Sequence, residues 1–171
     1  MNYATIKPWD IANGPGVRVS LFVSGCTHHC KDCFNPEAWD FDYGEPFTDA
    51  VMDHILELLR PDYIRGITYL GGEPFDPHNQ PGLLALTQKI RAAYPEKSIW
   101  SFTGYVYGQN LPQLPGVTDA LLAGLDVLVD GPFIAARKNL GLRFRGSDNQ
   151  RLIDLPKTLK TGAVVLWDET Q

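Results

Sequence analysis

The stretch Gly25-Cys26-Thr27-His28-His29-Cys30-Lys31-Asp32-Cys33-Phe34-Asn35 holds every cysteine of the chain, in the spacing C-x3-C-x2-C. A structural zinc site and a ferredoxin-type iron–sulfur cluster both take four protein ligands, and a fourth cysteine is missing here. Three closely spaced thiolates fit three corners of a 4Fe-4S cluster and leave one iron open. Because substrates bind at open coordination positions, the stretch favours a catalytic cluster. The alternative is a zinc site of three cysteines and one histidine.

The composition is that of an ordinary soluble globular protein, with 44% hydrophobic residues, 20% charged residues and a net charge of −5 over 171 residues. We expect one domain spanning residues 1–171. An acidic chain does not attract a nucleic-acid backbone, and no apolar run reaches the length of about 18 residues that spans a membrane. Neither nucleic acid nor membrane is therefore an expected partner. The missing signal-peptide core and the odd number of cysteines predict a cytoplasmic protein with reduced thiols.

Hydrophobic periodicity predicts strands that alternate with helices. The predicted strands lie at 17–23, 66–70, 98–102 and 125–129, with a last edge strand at 163–167. The predicted helices lie at 48–59, about 83–93 and 117–123, with Thr48 as the cap of the first. Residues 1–16 are expected to form a loop, and the tail at about 154–171 is less regular. This order predicts a single-domain α/β fold, an incomplete parallel (β/α) barrel.

Three further loops follow predicted strands and carry candidate binding residues. Gly71-Gly72-Glu73-Pro74 combines glycines, which permit close approach of a backbone, with a carboxylate that is able to pair with an ammonium group. Thr103 and Asp130 follow the next two strands. Since parallel strands place their active sites at their carboxyl ends, these loops and the cysteine loop are expected to share one edge. Each loop, taken alone, is equally compatible with a structural turn.

The cysteine spacing is that of the radical S-adenosylmethionine (SAM) family, and the surrounding motifs resemble one branch of it, the enzymes that activate anaerobic ribonucleoside-triphosphate reductase. That branch has a Gly-Pro-Gly turn and then L-F-V-S-G-C-x-H-x-C-x-x-C-(Y/F)-N. The matching segments here are Gly14-Pro15-Gly16, Leu21 to Cys26, Cys33-Phe34-Asn35, Trp100 to Tyr105, Asp126 to Gly131, and Phe144 to Gln150. The resemblance extends to about Ile153.

The resemblance implies a 4Fe-4S cluster on Cys26, Cys30 and Cys33, with an open iron that SAM chelates. It also implies a set of SAM contacts and no catalytic residue beyond the cluster and SAM ligands. Gly72 and Glu73 are expected to contact the amino group of SAM. The other expected contacts are Thr103 and Asp130, which hold the methionine part directly or through a cation, and Asp32 and Phe34, which flank the third cysteine as in the branch.

The reaction implied by the resemblance is cleavage of SAM to methionine and a 5′-deoxyadenosyl radical, which generates a glycyl radical on the large subunit of the anaerobic reductase. A low-potential donor such as flavodoxin is the expected electron source. Too few β/α units to close an eight-stranded barrel would leave a lateral opening for a loop of that protein substrate. The alternatives are a small-molecule radical SAM enzyme and a non-catalytic cysteine-rich module for metal binding or electron transfer.

Two groups of basic side chains complete the candidates. His28 and His29 lie inside the cysteine loop, where histidines more often organise hydrogen bonds than bind metal. Arg143, Arg145 and Arg151 form a basic cluster in an acidic chain. We expect this cluster to be solvated surface, with a site for a partner protein or a carboxylate as the alternative.

Overall fold

The computed structural model describes residues 1–171, which form one seven-stranded sheet and four α-helices. The strands are β1 (Asn2–Asp10), β2 (Val17–Val23), β3 (Glu45–Pro46), β4 (Ile64–Gly71), β5 (Ser98–Phe102), β6 (Val127–Asp130) and β7 (Arg151–Asp154). The α-helices are α1 (Asp49–Leu59), α2 (Gln80–Ala93), α3 (Thr118–Ala123) and α4 (Leu155–Thr161). Short 3-10 helices cover Pro36–Trp39, Leu111–Gln113 and Ala135–Arg137. None of the helices has the length and apolar character needed to cross a membrane.

The sheet is mixed and open, with the strand order β3-β1-β2-β4-β5-β6-β7. The four central strands β2, β4, β5 and β6 are parallel, whereas β1, β3 and β7 pair antiparallel with their neighbours. The prediction of a single α/β domain is thus confirmed. The predicted parallel sheet is correct only for the central strands, and the incomplete barrel is not confirmed because the sheet does not close.

The local predictions succeed best where the chain has strong apolar periodicity. The strands at 17–23 and 98–102 coincide with β2 and β5, and Thr48 caps α1 by accepting a hydrogen bond from the backbone N–H of Val51. The prediction of a loop over residues 1–16 is wrong for residues 2–10, which pair with β2 as a strand at the edge of the sheet, and correct for residues 11–16. The predicted strand at 163–167 makes only one isolated bridge, between Leu166 and Ile153.

Strand β1 is a long and irregular edge of the sheet. Only its first two residues, Asn2 and Tyr3, pair with β3, so most of its outer side has no neighbouring strand. Its pairing with β2 shows register shifts between Tyr3 and Thr5 and between Lys7 and Asp10. Such a broken register explains why period-two alternation does not identify this strand in the sequence.

Alternation along the strands gives the sheet two different faces. One face packs against the helices and forms an apolar core of 21 buried residues. The opposite face holds a smaller cluster around Trp100, whose ring contacts those of Phe144 and Trp167 at centroid distances of 5.5 and 4.9 Å. The C-terminal tail therefore covers the face of the sheet that the helices leave open.

Arg18 is buried under this second face and ties three parallel strands together. Its guanidinium donates to the Thr68 hydroxyl, to the Ile67 carbonyl and to both the hydroxyl and the carbonyl of Ser98, at 2.8–3.0 Å. The Trp100 ring lies 5.5 Å from the guanidinium carbon. Burial lowers the pKa of Arg18 to about 10, so the group stays charged at neutral pH. A fully buried cation is tolerated because nearly every N–H has an acceptor.

We expect Arg18→Met to lower the free energy of unfolding by about 3–5 kcal/mol, since it leaves buried carbonyl acceptors without donors and a space that methionine does not fill. The matched control is Arg60→Met, because Arg60 is exposed and pairs only with exposed Glu57. That change should cost less than about 0.5 kcal/mol. Anaerobic urea denaturation of both variants, in the same metal state, measures the difference. Equal stabilities of the two variants would contradict this role of Arg18.

Candidate active site

A cavity of about 430 Å³ lies at the carboxyl ends of the parallel strands, within the range of about 300–1,000 Å³ typical of small-molecule sites. Seven of the nine predicted site residues line it: Cys26, Cys30, Cys33, Phe34, Gly72, Glu73 and Thr103. Asp32 and Asp130 are not part of the lining. The topology thus brings together the cysteine loop after β2, the glycine loop after β4 and the loop after β5.

The carboxylate of Glu73 is the centre of this arrangement and is 1% exposed. Its Oε1 accepts from the backbone N–H of Phe75 and the hydroxyl of Thr103, both at 2.8 Å. Its Oε2 accepts from the backbone N–H of Gly104 and lies 2.7 Å from Nε2 of His28. Because an ionised carboxylate only accepts, this His28 nitrogen carries its proton. One side chain therefore joins all three loops.

Backbone contacts hold the glycine loop against the start of the cysteine loop. The N–H groups of Gly72 and Glu73 donate to the carbonyls of Val23 and Gly25, each at 2.8 Å. A Cβ atom on Gly72 would lie 2.5 Å from the Gly25 carbonyl oxygen and 3.0 Å from that of Ala38. The glycine is thus required by close packing between the two loops, a requirement that comes in addition to any contact with a ligand.

The thiols of Cys26 and Cys30 lie in surroundings that disfavour their ionised form. Burial raises the pKa of the Cys26 thiol to about 11, even though the backbone N–H groups of His28 and His29 donate to its sulfur. Burial likewise raises the pKa of the Cys30 thiol, and the Glu73 charge adds to both shifts. Bound iron would supply the positive charge that such thiolates need, because coordination deprotonates a thiol.

The two histidines of the cysteine loop are engaged by other side chains of the protein. No three His, Cys, Asp or Glu side chains are grouped so that they would hold one metal ion. His28 turns its Nε2 to Glu73, and His29 packs on Trp39 with ring centroids 4.4 Å apart. The three cysteines are then the free candidate ligands among the residues that line the cavity.

Three other residues predicted to contact SAM, namely Thr103, Asp130 and Asp32, lie in different environments. The Thr103 hydroxyl donates to Glu73 and accepts from the backbone N–H of Tyr105. The buried Asp130 carboxylate accepts from Arg151 and from the backbone N–H of Tyr107, so it is engaged within the protein. Exposed Asp32 has a φ of 58°, a left-handed conformation that aspartate tolerates.

Phe34 lies at the mouth of the cavity and is 72% exposed. Its ring is 5.0 Å from that of Phe133, and the Lys138 ammonium lies 5.4 Å above it. Because a side chain that lines the cavity is also open to solvent, the cavity reaches the surface at this point.

Several wall residues of the cavity were not identified from the sequence. They are Phe22, Leu70 and Phe102 at the ends of the strands, and Leu142, Phe144, Gly146 and Gln150 in the segment before β7. The strand residues carry a signal that was available, since alternation places them on the face opposite the helix-packed core.

The predicted basic cluster does not form a free patch. Arg145 pairs with Glu169 at 2.6 Å, Arg151 pairs with Asp130, and Arg143 donates to the Glu169 carbonyl. The expectation of a solvated surface is wrong for Arg145, whose side chain is only 16% exposed and lines the cavity. The carboxylates that meet these arginines belong to this chain.

Comparison with known proteins agrees with the metal chemistry. Residues 12–153 match the family model of a 4Fe-4S single cluster domain, which supports an iron–sulfur cluster on the three cysteines. The chain is similar to proteins named anaerobic ribonucleoside-triphosphate reductase-activating protein. The Vibrio cholerae relative is 43% identical and the Escherichia coli K12 relative 44% identical over 152 residues, 88% of this chain and 96% of each relative. The relative from Enterobacteria phage T4 is 41% identical over 154 residues, 89% of this chain and 93% of its own.

We expect Cys30→Ala, after anaerobic reconstitution, to lose the visible cluster absorption and to fall from about four bound irons per chain to less than about one. His28→Asn should keep the cluster, because its imidazole binds Glu73 through Nε2. Iron analysis and absorption spectra of both variants measure the effect. Equal loss of metal from the two variants would make His28 a ligand and contradict the assignment of the three cysteines as the only donors.

Proposed function

The chain belongs to the family of anaerobic ribonucleoside-triphosphate reductase-activating proteins, and we propose that it generates a glycyl radical on such a reductase by means of a 4Fe-4S cluster and SAM. The observation that carries the proposal is the cavity that all three cysteines of the chain line together with the buried Glu73 carboxylate. An incomplete ligand set and an anionic group within one small-molecule cavity fit a cofactor that offers both a chelating group and an ammonium.

Cys26, Cys30 and Cys33 are the proposed cluster ligands, and Glu73 with Gly72 the proposed partners of the SAM amino group. Glu73 contributes a fixed negative charge, and Gly72 lets the backbone of its loop lie close to the cysteine loop. The cysteine loop and the Glu73 carboxylate are therefore held in one orientation before any ligand binds, which lowers the entropic cost of binding.

The other residues proposed to take part in the SAM site are Thr103, Phe34, Asp32 and Asp130. Thr103 keeps Glu73 in place through its hydroxyl, and Phe34 offers an exposed ring at the mouth of the cavity. Asp32 and Asp130 act from outside the lining. Asp130 accepts hydrogen bonds from Arg151 and from the backbone N–H of Tyr107 in the loop that also carries Thr103.

The cluster and SAM, when bound, supply a one-electron cleavage that gives methionine and a 5′-deoxyadenosyl radical able to remove a hydrogen atom from a backbone glycine. The chain positions the cluster and SAM and excludes water from them, because the apolar side chains of Phe22, Leu70 and Phe102 line the cavity. We propose that the glycine-bearing loop of the large reductase subunit reaches the cavity at Phe34, where it is open. The proposed electron source is a low-potential protein such as flavodoxin, and the proposed location is the cytoplasm, where thiols stay reduced.

The first test is whether SAM binds at the reduced cluster. We expect the EPR signal of the reconstituted, reduced protein to shift when SAM is added. Glu73→Gln should weaken SAM binding by about tenfold or more, since it removes the charge that pairs with the ammonium. Glu57→Gln is the matched control, because Glu57 is an exposed carboxylate on α1. A cluster signal that ignores SAM in the unmodified protein would support the non-catalytic metal module instead.

The second test identifies the substrate of the radical. With a reductase whose glycines carry deuterium, we expect deuterium in the 5′-deoxyadenosine product, together with a glycyl-radical EPR signal on the reductase. Mass spectrometry of the nucleoside measures the transfer. Turnover of a small metabolite at ordinary enzymatic rates, with no label from the reductase, would favour the small-molecule alternative.

A further inference from the structure

The hydrogen-bonding capacity of the Glu73 carboxylate is filled by the protein itself. A carboxylate has two oxygens and accepts about four hydrogen bonds. Both oxygens of Glu73 already have two donors each, from Phe75 and Thr103 on one side and from Gly104 and His28 on the other. An additional cation that pairs with Glu73 must therefore take the place of one of these donors.

The four donors differ in how easily they can leave. Two are backbone N–H groups, of buried Phe75 and of Gly104, and they move only if their loops move. The Thr103 hydroxyl is buried and is held from its other side by the N–H of Tyr105. His28 binds through a rotatable side chain that is 18% exposed and lines the cavity.

The local structure around His28 also favours its release. Residues 27–32 lie outside regular secondary structure, and within the stretch 26–33 the one backbone–backbone hydrogen bond joins Cys33 to Cys30. The imidazole ring rests on Tyr105, with centroids 4.4 Å apart, and on Gly104, where a Cβ atom would come within 2.6 Å of it. The ring is thus held by contacts on one side, with the cavity on the other.

We propose that His28 occupies the position on Glu73 that the α-ammonium of SAM takes when it binds, so that the cofactor displaces His28 and releases its part of the cysteine loop from the glycine loop. The proposal rests on the proposed function in one respect, that SAM is the ligand of this cavity. His28 is a positioning residue: it keeps Glu73 paired in the free protein and competes with the cofactor. SAM then binds only those molecules in which the contact between His28 and Glu73 is broken. The apparent affinity for SAM therefore falls in proportion to the fraction of such molecules.

The experiment measures SAM affinity of the cluster-loaded protein by anaerobic equilibrium dialysis with labelled SAM. His28→Asn, whose side chain is too short to reach Glu73, should lower the Kd by about three- to tenfold. His28→Gln, whose amide nitrogen is able to reach Glu73, should bind SAM with nearly the unmodified affinity. The matched control is His29→Asn, in the same loop, because His29 packs on Trp39 and has no hydrogen bond to Glu73.

A second ligand separates competition from a general opening of the cavity. A SAM analogue with hydrogen in place of the α-amino group has no ammonium to take the vacated position, so His28→Asn should leave its Kd unchanged. Tighter binding of SAM alone supports the proposal. If His28→Asn lowers the Kd of SAM and of the analogue equally, the displacement proposal is overturned. It is also overturned if His28→Asn leaves the Kd of SAM unchanged or raises it. In both cases the proposed function stands. Failure of the unmodified, cluster-loaded protein to bind SAM overturns both.

Discussion

The cavity depends on one buried carboxylate. Glu73 accepts hydrogen bonds from the loops that follow β2, β4 and β5, and its 1% exposure means that it relies on these donors in place of water. At the opposite end of the same three strands, the Arg18 guanidinium is bonded to β4 and β5 from its place in β2. Two buried charges of opposite sign thus fix the strands at both ends, and the position of the cysteine loop relative to the glycine loop follows from them.

The sequence was sufficient for those parts of the structure that carry local signals. Apolar runs identified β2 and β5, a capping threonine and a following proline delimited α1, and the rule that parallel strands present their loops at one edge brought Cys26, Glu73 and Thr103 together. Each of these signals is contained within a few residues, or depends only on the strand direction.

The remaining features depend on partners that lie far apart along the chain. His28 and Glu73 are 45 residues apart, and Arg18 and Ser98 are separated by 80, so no periodicity reports their contacts. The sequences of β1 and β7 show little alternation of apolar and polar residues. These strands form because they pair with the neighbouring strands β2 and β6 through backbone hydrogen bonds. In the sequence, the arginines near the end of the chain suggest a basic patch. In the folded chain, Arg145 pairs with Glu169 and Arg151 pairs with Asp130.

The irregular edge of the sheet has a consequence for self-association. Most of the outer side of β1 is free of a neighbouring strand, and a long flat edge of this kind invites a second copy to extend the sheet. Here Lys7 places a charge in the strand, Pro8 removes one N–H donor, and the shifted register bends the ladder. These features oppose edge-to-edge aggregation, so a nine-residue strand remains at the margin of the protein without becoming a template for fibres.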